Sequence, residues 1–402
     1  MGIYVIVNII LYLLLFFWYR SKNGTIFSPG GILISQYLLV AVCCYFVFNL
    51  TQSGDFVFVQ EKWILTFWPF PYLFFCFILL SRYFIFSKPK EFRDNPRLIR
   101  IITWSFIFCA SMYVLVLFPR LLDNLLSGDW ATIYTMAHVE DEKDYSNLFE
   151  RLIMIFCMYF KIPAMVIMFH NISLKLKNKT NYLLIITLLL YIFSSAILSA
   201  SRAHMYIGIV EIVVMYIYFY DKIDIRLRRK ITTVSLGVLV LCMFIIIAIT
   251  ISRVENRGGQ ELVLQNFLYY FGHSMLKFNY GVVDTIKEFA NGDFFCRSIV
   301  GYIPGDAELG THSDPLFTTL IGALYKDFGP IGTIMVSIFA PFLISRSWLS
   351  RNSQYMDLAE ITIYFYFFNE LLVGVFYENC SILNWFIYLI IYIGLKLLKR
   401  II

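Results

Sequence analysis

The chain has 402 residues, enough for two or three soluble domains, yet 59% of them are apolar, 19% aromatic and only 15% charged, with mean hydropathy +0.72. An ordinary soluble domain carries roughly 25% charged residues, and the apolar residues here fall in runs of about 17 to 25, the length that crosses ~30 Å of hydrocarbon. These figures exclude a nucleic-acid reader, a secreted disulfide scaffold and a cytosolic enzyme, and they turn the excess of 33 Lys and Arg over 27 Asp and Glu into a signal of membrane orientation.

In chain order, apolar runs bounded by charges predict about eleven membrane spans, at 3–19, 31–50, 63–81, 98–118, 151–170, 182–200, 203–220, 231–250, 325–345, 357–378 and 381–398. The fold class that follows is all-α, a polytopic transmembrane helical bundle forming a single integral-membrane domain over 1–402. The first run has no basic stretch before it and no small-residue cleavage site after it, so it reads as a retained span.

Lys and Arg divide unevenly between the alternating gaps. Twenty-one fall on the side of the carboxyl end, among them Arg82, Lys88, Lys90, Arg93, Arg97 and Arg100 in one short gap and Lys222, Arg226, Arg228, Arg229 and Lys230 in another. Ten fall on the opposite side, mostly in long loops. The positive-inside rule then places the amino end outside and the carboxyl end in the cytoplasm.

The cytoplasmic gaps are short and basic, whereas two outer segments are long: a first outer loop at 119–150 and a large one at 251–324. Long loops in compact proteins tend to carry function. The aromatics Phe267, Tyr269, Tyr270, Phe271, Phe278 and Tyr280, with the apolar pattern from Val282 to Phe289, predict amphipathic helices lying on the membrane surface within the large loop.

Six cysteines sit inside spans, where a thiol behaves as a small hydrophobe. Cys296 and Cys380 share the outer side, and only that sidedness favours pairing them. The five histidines, His138, His170, His204, His273 and His312, show no metal-ligand spacing, and none lies deep in a predicted span. His312 stands in Thr311-His312-Ser313-Asp314-Pro315, just before the chain re-enters the membrane. There it suits a general base oriented by Asp314, while Ser-Asp-Pro also suits a helix N-cap with Pro in the first turn.

Arg202 follows the serine-rich end of the sixth span, and Arg253 and Arg257 follow the eighth. Outer-face arginines run against the orientation bias; they suit bidentate binding of a pyrophosphate or anionic glycan, or snorkelling to lipid headgroups. Lys161, Glu211 and Glu370 lie within spans at about the same depth, 12 to 15 Å from the outer ends at 1.5 Å per residue. Lone charges there are expensive, so Lys161 is expected to pair with Glu211 or Glu370, as structural glue or as the floor of a polar cavity.

Three stretches resemble the Wzy-type polymerases of bacterial surface polysaccharides, also described as O-antigen or oligosaccharide repeat-unit polymerases. They are Ser199-Ala200-Ser201-Arg202, Ser252-Arg253 opening the long loop, and Thr311-His312-Ser313-Asp314-Pro315 followed by the Gly322 to Gly332 segment. The last stretch is also similar to the loop end of O-antigen ligases, although Asp314-Pro315 departs from that pattern. The resemblance implies a metal-independent glycosyltransferase, without a cofactor, on the outer face of the inner membrane. Its substrates would be undecaprenyl-pyrophosphate-linked oligosaccharides, joined into O-antigen, the glycan of lipopolysaccharide, or into capsule. Its partners would be the bilayer and proteins such as a chain-length regulator and a flippase.

In that scheme Arg202, Arg253 and Arg257 steady the departing pyrophosphate and Arg297 lies among the substrate contacts. His312 or Asp314 takes the acceptor proton, and Tyr269, Tyr270 and Tyr302 stack on sugar faces. An O-antigen ligase differs only in acceptor. A flippase would need several cations within the spans, where only Lys161 is plainly placed, and a membrane acyltransferase would need a deep histidine.

Overall fold

A computed structural model of the chain describes residues 2–53, 69–70, 72–74, 76–77, 79, 90–130, 132–133, 148–176, 178–256, 263–283, 289, 319–347, 355–376 and 382–402. Of these residues 89% are helical, which makes the protein all-α; the described residues outside helices include two two-residue strands, Glu91–Phe92 and Tyr355–Met356. The helices are α1 (Ile3–Asn23), α2 (Pro29–Ser53), α3 (Pro96–Ser127), α4 (Leu148–Ser173), α5 (Lys179–Leu198), α6 (Arg202–Phe219), α7 (Ile225–Asn256), α8 (Val263–Lys277), α9 (Leu320–Ser347), α10 (Leu358–Val373) and α11 (Ile382–Ile401).

Six of the described helices, α1 to α5 and α7, are long and apolar enough to cross a membrane. Their outward faces carry large apolar side chains, such as Leu14 and Phe17 on α1, Phe108 and Leu115 on α3, and Phe244 and Ile247 on α7. Such surface is stable only where hydrocarbon is the solvent. The protein is a multi-pass membrane protein.

The helix ends follow local chemistry. Asn95 caps α3 by accepting from the Arg97 N–H, with Pro96 in the first turn, and Asn178 caps α5 through the Asn181 N–H. Gly24 and Gly128 close α1 and α3 in the left-handed conformation. Asp357 and Glu360 form a reciprocal capping box on α10. α3 runs to Ser127 with Pro119 inside it, and α4 begins at Leu148, so both helices extend into the segment expected as the first outer loop.

The chain divides into two compact units. One comprises Met1–Glu91 and Leu264–Lys396, the other Phe92–Val263 and Leu397–Ile402. In the second unit α3 packs on α4 and α5, both of which reach α6, and α7 packs on α6. Ala196, Met205, Cys242 and Ile246 form a buried apolar cluster where α5, α6 and α7 meet.

In the first unit α1 packs on α2 and α2 on α10. The Gln36 amide donates to the Leu372 carbonyl oxygen at 2.6 Å and the Tyr37 hydroxyl to that of Leu371 at 3.0 Å, satisfying carbonyls that the end of α10 leaves unpaired. α9 breaks at Gly329, whose φ of 62° lies in the left-handed region.

α8 corrects the expectation of a surface helix. Phe271, Gly272, His273, Ser274, Met275 and Leu276 are all buried, a run too long for a helix with one face in water or headgroups. A Cβ on Gly272 would lie 2.5 Å from the carbonyl carbon and oxygen of Cys43, so α8 crosses α2 backbone against backbone. The Asn8 amide reaches the Met275 sulfur at 3.3 Å from α1.

Candidate functional site

The turn between α5 and α6 gathers polar groups on a strained backbone. Ala200 is buried with φ 45°, a conformation costing an L-residue about 1 kcal/mol or more. On either side, Ser199 Oγ lies 2.9 Å from His204 Nδ1, and Ser201 caps α6 by accepting from the His204 N–H. Arg202, the first residue of α6, donates from Nη1 to Thr250 Oγ1 at 3.1 Å, and the Thr250 hydroxyl donates in turn to the Ile246 carbonyl oxygen at 2.7 Å.

Thr250 is near the end of α7, and Arg253 follows three residues later in the same helix. Two of the three expected arginines therefore share one end of this unit: Arg202 by its side-chain contact and Arg253 by its place on the helix. The side chain of Arg253 and the whole of Arg257 lie outside the described residues. His204 was passed over in the sequence; its signal was the serine five residues before it.

About 13 Å along α6 from Arg202, at 1.5 Å per residue, stands Glu211. Lys161 of α4 meets it, Nζ to Oε2 2.6 Å, with side-chain exposures of 18% and 3%. Of the two partners anticipated for Lys161, the structure gives Glu211. Apart from this ion pair, neither Glu211 oxygen has a hydrogen-bond partner among the described residues, and both are buried. The ring of Tyr191 on α5 lies 5.2 Å from that of Tyr113 on α3.

Glu370 has a different partner. The Tyr388 hydroxyl donates to its Oε1 at 2.6 Å, and the Tyr388 ring stacks on Tyr366 at 4.4 Å. The remaining oxygen, Oε2, is buried without a hydrogen-bond partner among the described residues.

The first unit also buries His273, Lys326 and Asp327. His273 is fully buried on α8, a helix outside the predicted spans. Its Nδ1 lies 2.7 Å from the Tyr269 carbonyl oxygen, to which it donates, and its ring stacks on Tyr269 at 4.4 Å. Burial, together with the charge of Lys277, pushes its pKa down to about 3, so the ring is neutral near neutral pH. Lys326 and Asp327 near the start of α9 are each 1% exposed.

Several lysines counted for orientation are held by acids. Lys396 bridges Asp357 at 2.7 Å and Glu360 at 3.0 Å, Lys399 meets Asp94 at 3.2 Å and Lys175 meets Asp224 at 2.9 Å. The Lys175 hydrogen bond holds the Asp224 carboxyl below its ordinary pKa.

Among the described residues no group of three His, Cys, Asp or Glu side chains is placed to hold a metal ion. His312, Asp314, Arg297, Tyr302, Cys296 and Cys380 lie outside the described residues. Comparison of the chain with known protein families, with curated proteins and with solved structures gives no match.

Proposed function

We propose that this protein polymerises oligosaccharide repeat units carried on undecaprenyl pyrophosphate, acting as a metal-independent glycosyltransferase on the outer face of the bacterial inner membrane. The proposal includes about eleven spans, the amino end outside and the carboxyl end in the cytoplasm. The observation that carries it is the Arg202 to Thr250 hydrogen bond, which seats one guanidinium on the helix that bears Arg253.

In the reaction, the acceptor hydroxyl oxygen attacks the anomeric carbon of the donor glycan. The bond from that carbon to the pyrophosphate oxygen breaks, and the proton passes to His312 or Asp314. Negative charge grows on the departing pyrophosphate, where permanently charged guanidinium groups stabilise it without a metal. The Thr250 contact holds the Arg202 fork before substrate arrives, reducing the ordering that binding requires.

One observation favours a flippase of lipid-linked oligosaccharides as a second reading: Lys326 is a buried cation at the edge of a predicted span. A single experiment separates the two. Surface polysaccharide is run on a gel after deletion of the gene and its restoration as wild type or Arg253→Ala. Polymerisation predicts an anchor carrying one repeat unit without a ladder in the deletion, and no ladder with Arg253→Ala although the protein is present. Absence of every repeat unit identifies a flippase, chains stranded on the lipid carrier identify a ligase, and an unchanged ladder refutes the proposal.

A further inference from the structure

Two cations near the start of α7 are answered within the protein. Lys175 meets Asp224, and Arg228 donates from Nε to the Ile223 carbonyl oxygen at 2.7 Å while its guanidinium lies 4.1 Å from the centre of the Tyr220 ring. Three others are not. Arg226, Arg229 and Lys230 are exposed, and their side chains have no ion-pair partner among the described residues.

Their placement is unfavourable for the chain alone. They occupy the first turns of α7, where the aligned peptide dipoles already put positive charge, and at spacings of three and four residues Arg226 faces Arg229 and Lys230. Of the acids beside them, Asp224 is engaged by Lys175, and exposed Asp221 brings one negative charge against three positive ones. The balance calls for an anion from outside the chain.

The same face of the helix says which kind. Steps of three or four residues lead from Arg226 through Lys230, Thr233, Gly237 and Val240 to Phe244, and all of these are exposed. The opposite face, with Cys242 and Ile246, is the one that packs on α5 and α6. Nothing lies within 4 Å of a Cβ on Gly237, so the stripe is open beyond its charged end. From Lys230 to Val240 it runs about 15 Å at 1.5 Å per residue, half of a ~30 Å hydrocarbon core. A free phosphate would use the charged end alone, whereas a phospholipid uses the whole stripe.

We propose that this face of α7 is a binding site for an anionic phospholipid, its phosphate held by Arg226, Arg229 and Lys230 and one acyl chain lying along Gly237, Val240 and Phe244. Phosphates border both leaflets, so the site depends neither on the orientation of the chain nor on the polymerase reading.

The test is native mass spectrometry of the full-length protein in detergent, titrated with dioleoyl phosphatidylglycerol or dioleoyl phosphatidylcholine, which share their chains and differ in net charge. The first phosphatidylglycerol should bind about tenfold or more tightly than the first phosphatidylcholine, and Arg226→Gln/Lys230→Gln should abolish that preference. Arg20→Gln/Lys22→Gln removes equal charge from exposed positions at the end of α1, where the dipole favours cations, and should keep the preference.

Equal affinity for the two lipids in the wild type, or equal losses from the two double variants, overturns the site, the latter by showing that net charge alone attracts the lipid. Displacement of phosphatidylglycerol by inorganic phosphate at the same concentration overturns it as well, because the acyl chain then adds nothing. If Arg226→Gln/Lys230→Gln does not accumulate, Arg229→Gln takes its place: a weakened preference supports the site and an unchanged one overturns it.

Discussion

A carboxylate within a membrane protein must find a cation or a donor. Glu211 finds Lys161, while Glu370 accepts from the Tyr388 hydroxyl. The first partnership was readable from sequence because isolated charges at one depth seek each other. The second was not, since a tyrosine at a helix face carries no sign of what it bonds.

His273 adds a residue whose cost is proton-dependent. Its pKa is about 3 in the folded protein against an ordinary 6.5, so between those values the unfolded chain binds the extra proton and stability falls as pH falls. At pH 5 the loss relative to pH 7 is about 2 kcal/mol. The thermal midpoint of the wild type in detergent should therefore drop from pH 7 to pH 5, and that of His273→Met should drop less. Equal slopes for the two proteins would show that His273 does not carry the acid sensitivity.

At the scale of the element, α8 teaches most. Its aromatics looked like those of a helix at the membrane surface, because a ring that meets headgroups and one that meets a buried neighbour read alike. The discriminating residue is Gly272, where α8 touches the backbone of α2 at Cys43. A methyl group there separates the two helices, so Gly272→Ala should cost about 1 to 3 kcal/mol of stability. Gly237→Ala provides the control, because nothing lies within 4 Å of its Cβ position. Thermal unfolding of the two variants in one detergent checks this, and equal midpoints would remove the backbone crossing from the account.

Helix positions were readable where apolar runs ended in charges, as for α1 and α11, and less so where helices run on, as α3 does through Pro119 to Ser127. A proline or a polar turn ends a hydropathy run before it ends a helix. The arginine cluster was half readable. Sequence spacing marked Arg202 and Arg253, but only folding brings α6 to the end of α7, through a threonine that no charge argument selects.

For the molecule as a whole, the orientation inferred from Lys and Arg remains the framework in which the proposed chemistry works, since the substrate must meet the loop at 251–324 outside the cell membrane. A reporter fluorescent only in the cytoplasm should glow when fused after Ile402 and stay dark within 119–150, while a phosphatase reporter gives the reverse. The opposite pattern would place the arginines with the cytoplasm and end the polymerase proposal.

The two-unit division also sets an order of events during synthesis. The first unit is assembled from the two ends of the chain, with contacts between Asn8 and Met275 and between Gln36 and Leu372, residues 267 and 336 positions apart. The second unit is almost complete once Val263 has emerged; the first waits for α8 and α10. During that interval α1 and α2 sit in the bilayer with an asparagine and a glutamine whose mature partners are not yet made, a costly exposure in hydrocarbon. A ribosome pausing in the second half of the message thus leaves one unit folded and the other open, and membrane proteases that recognise unpaired polar helices would meet the amino-terminal pair first.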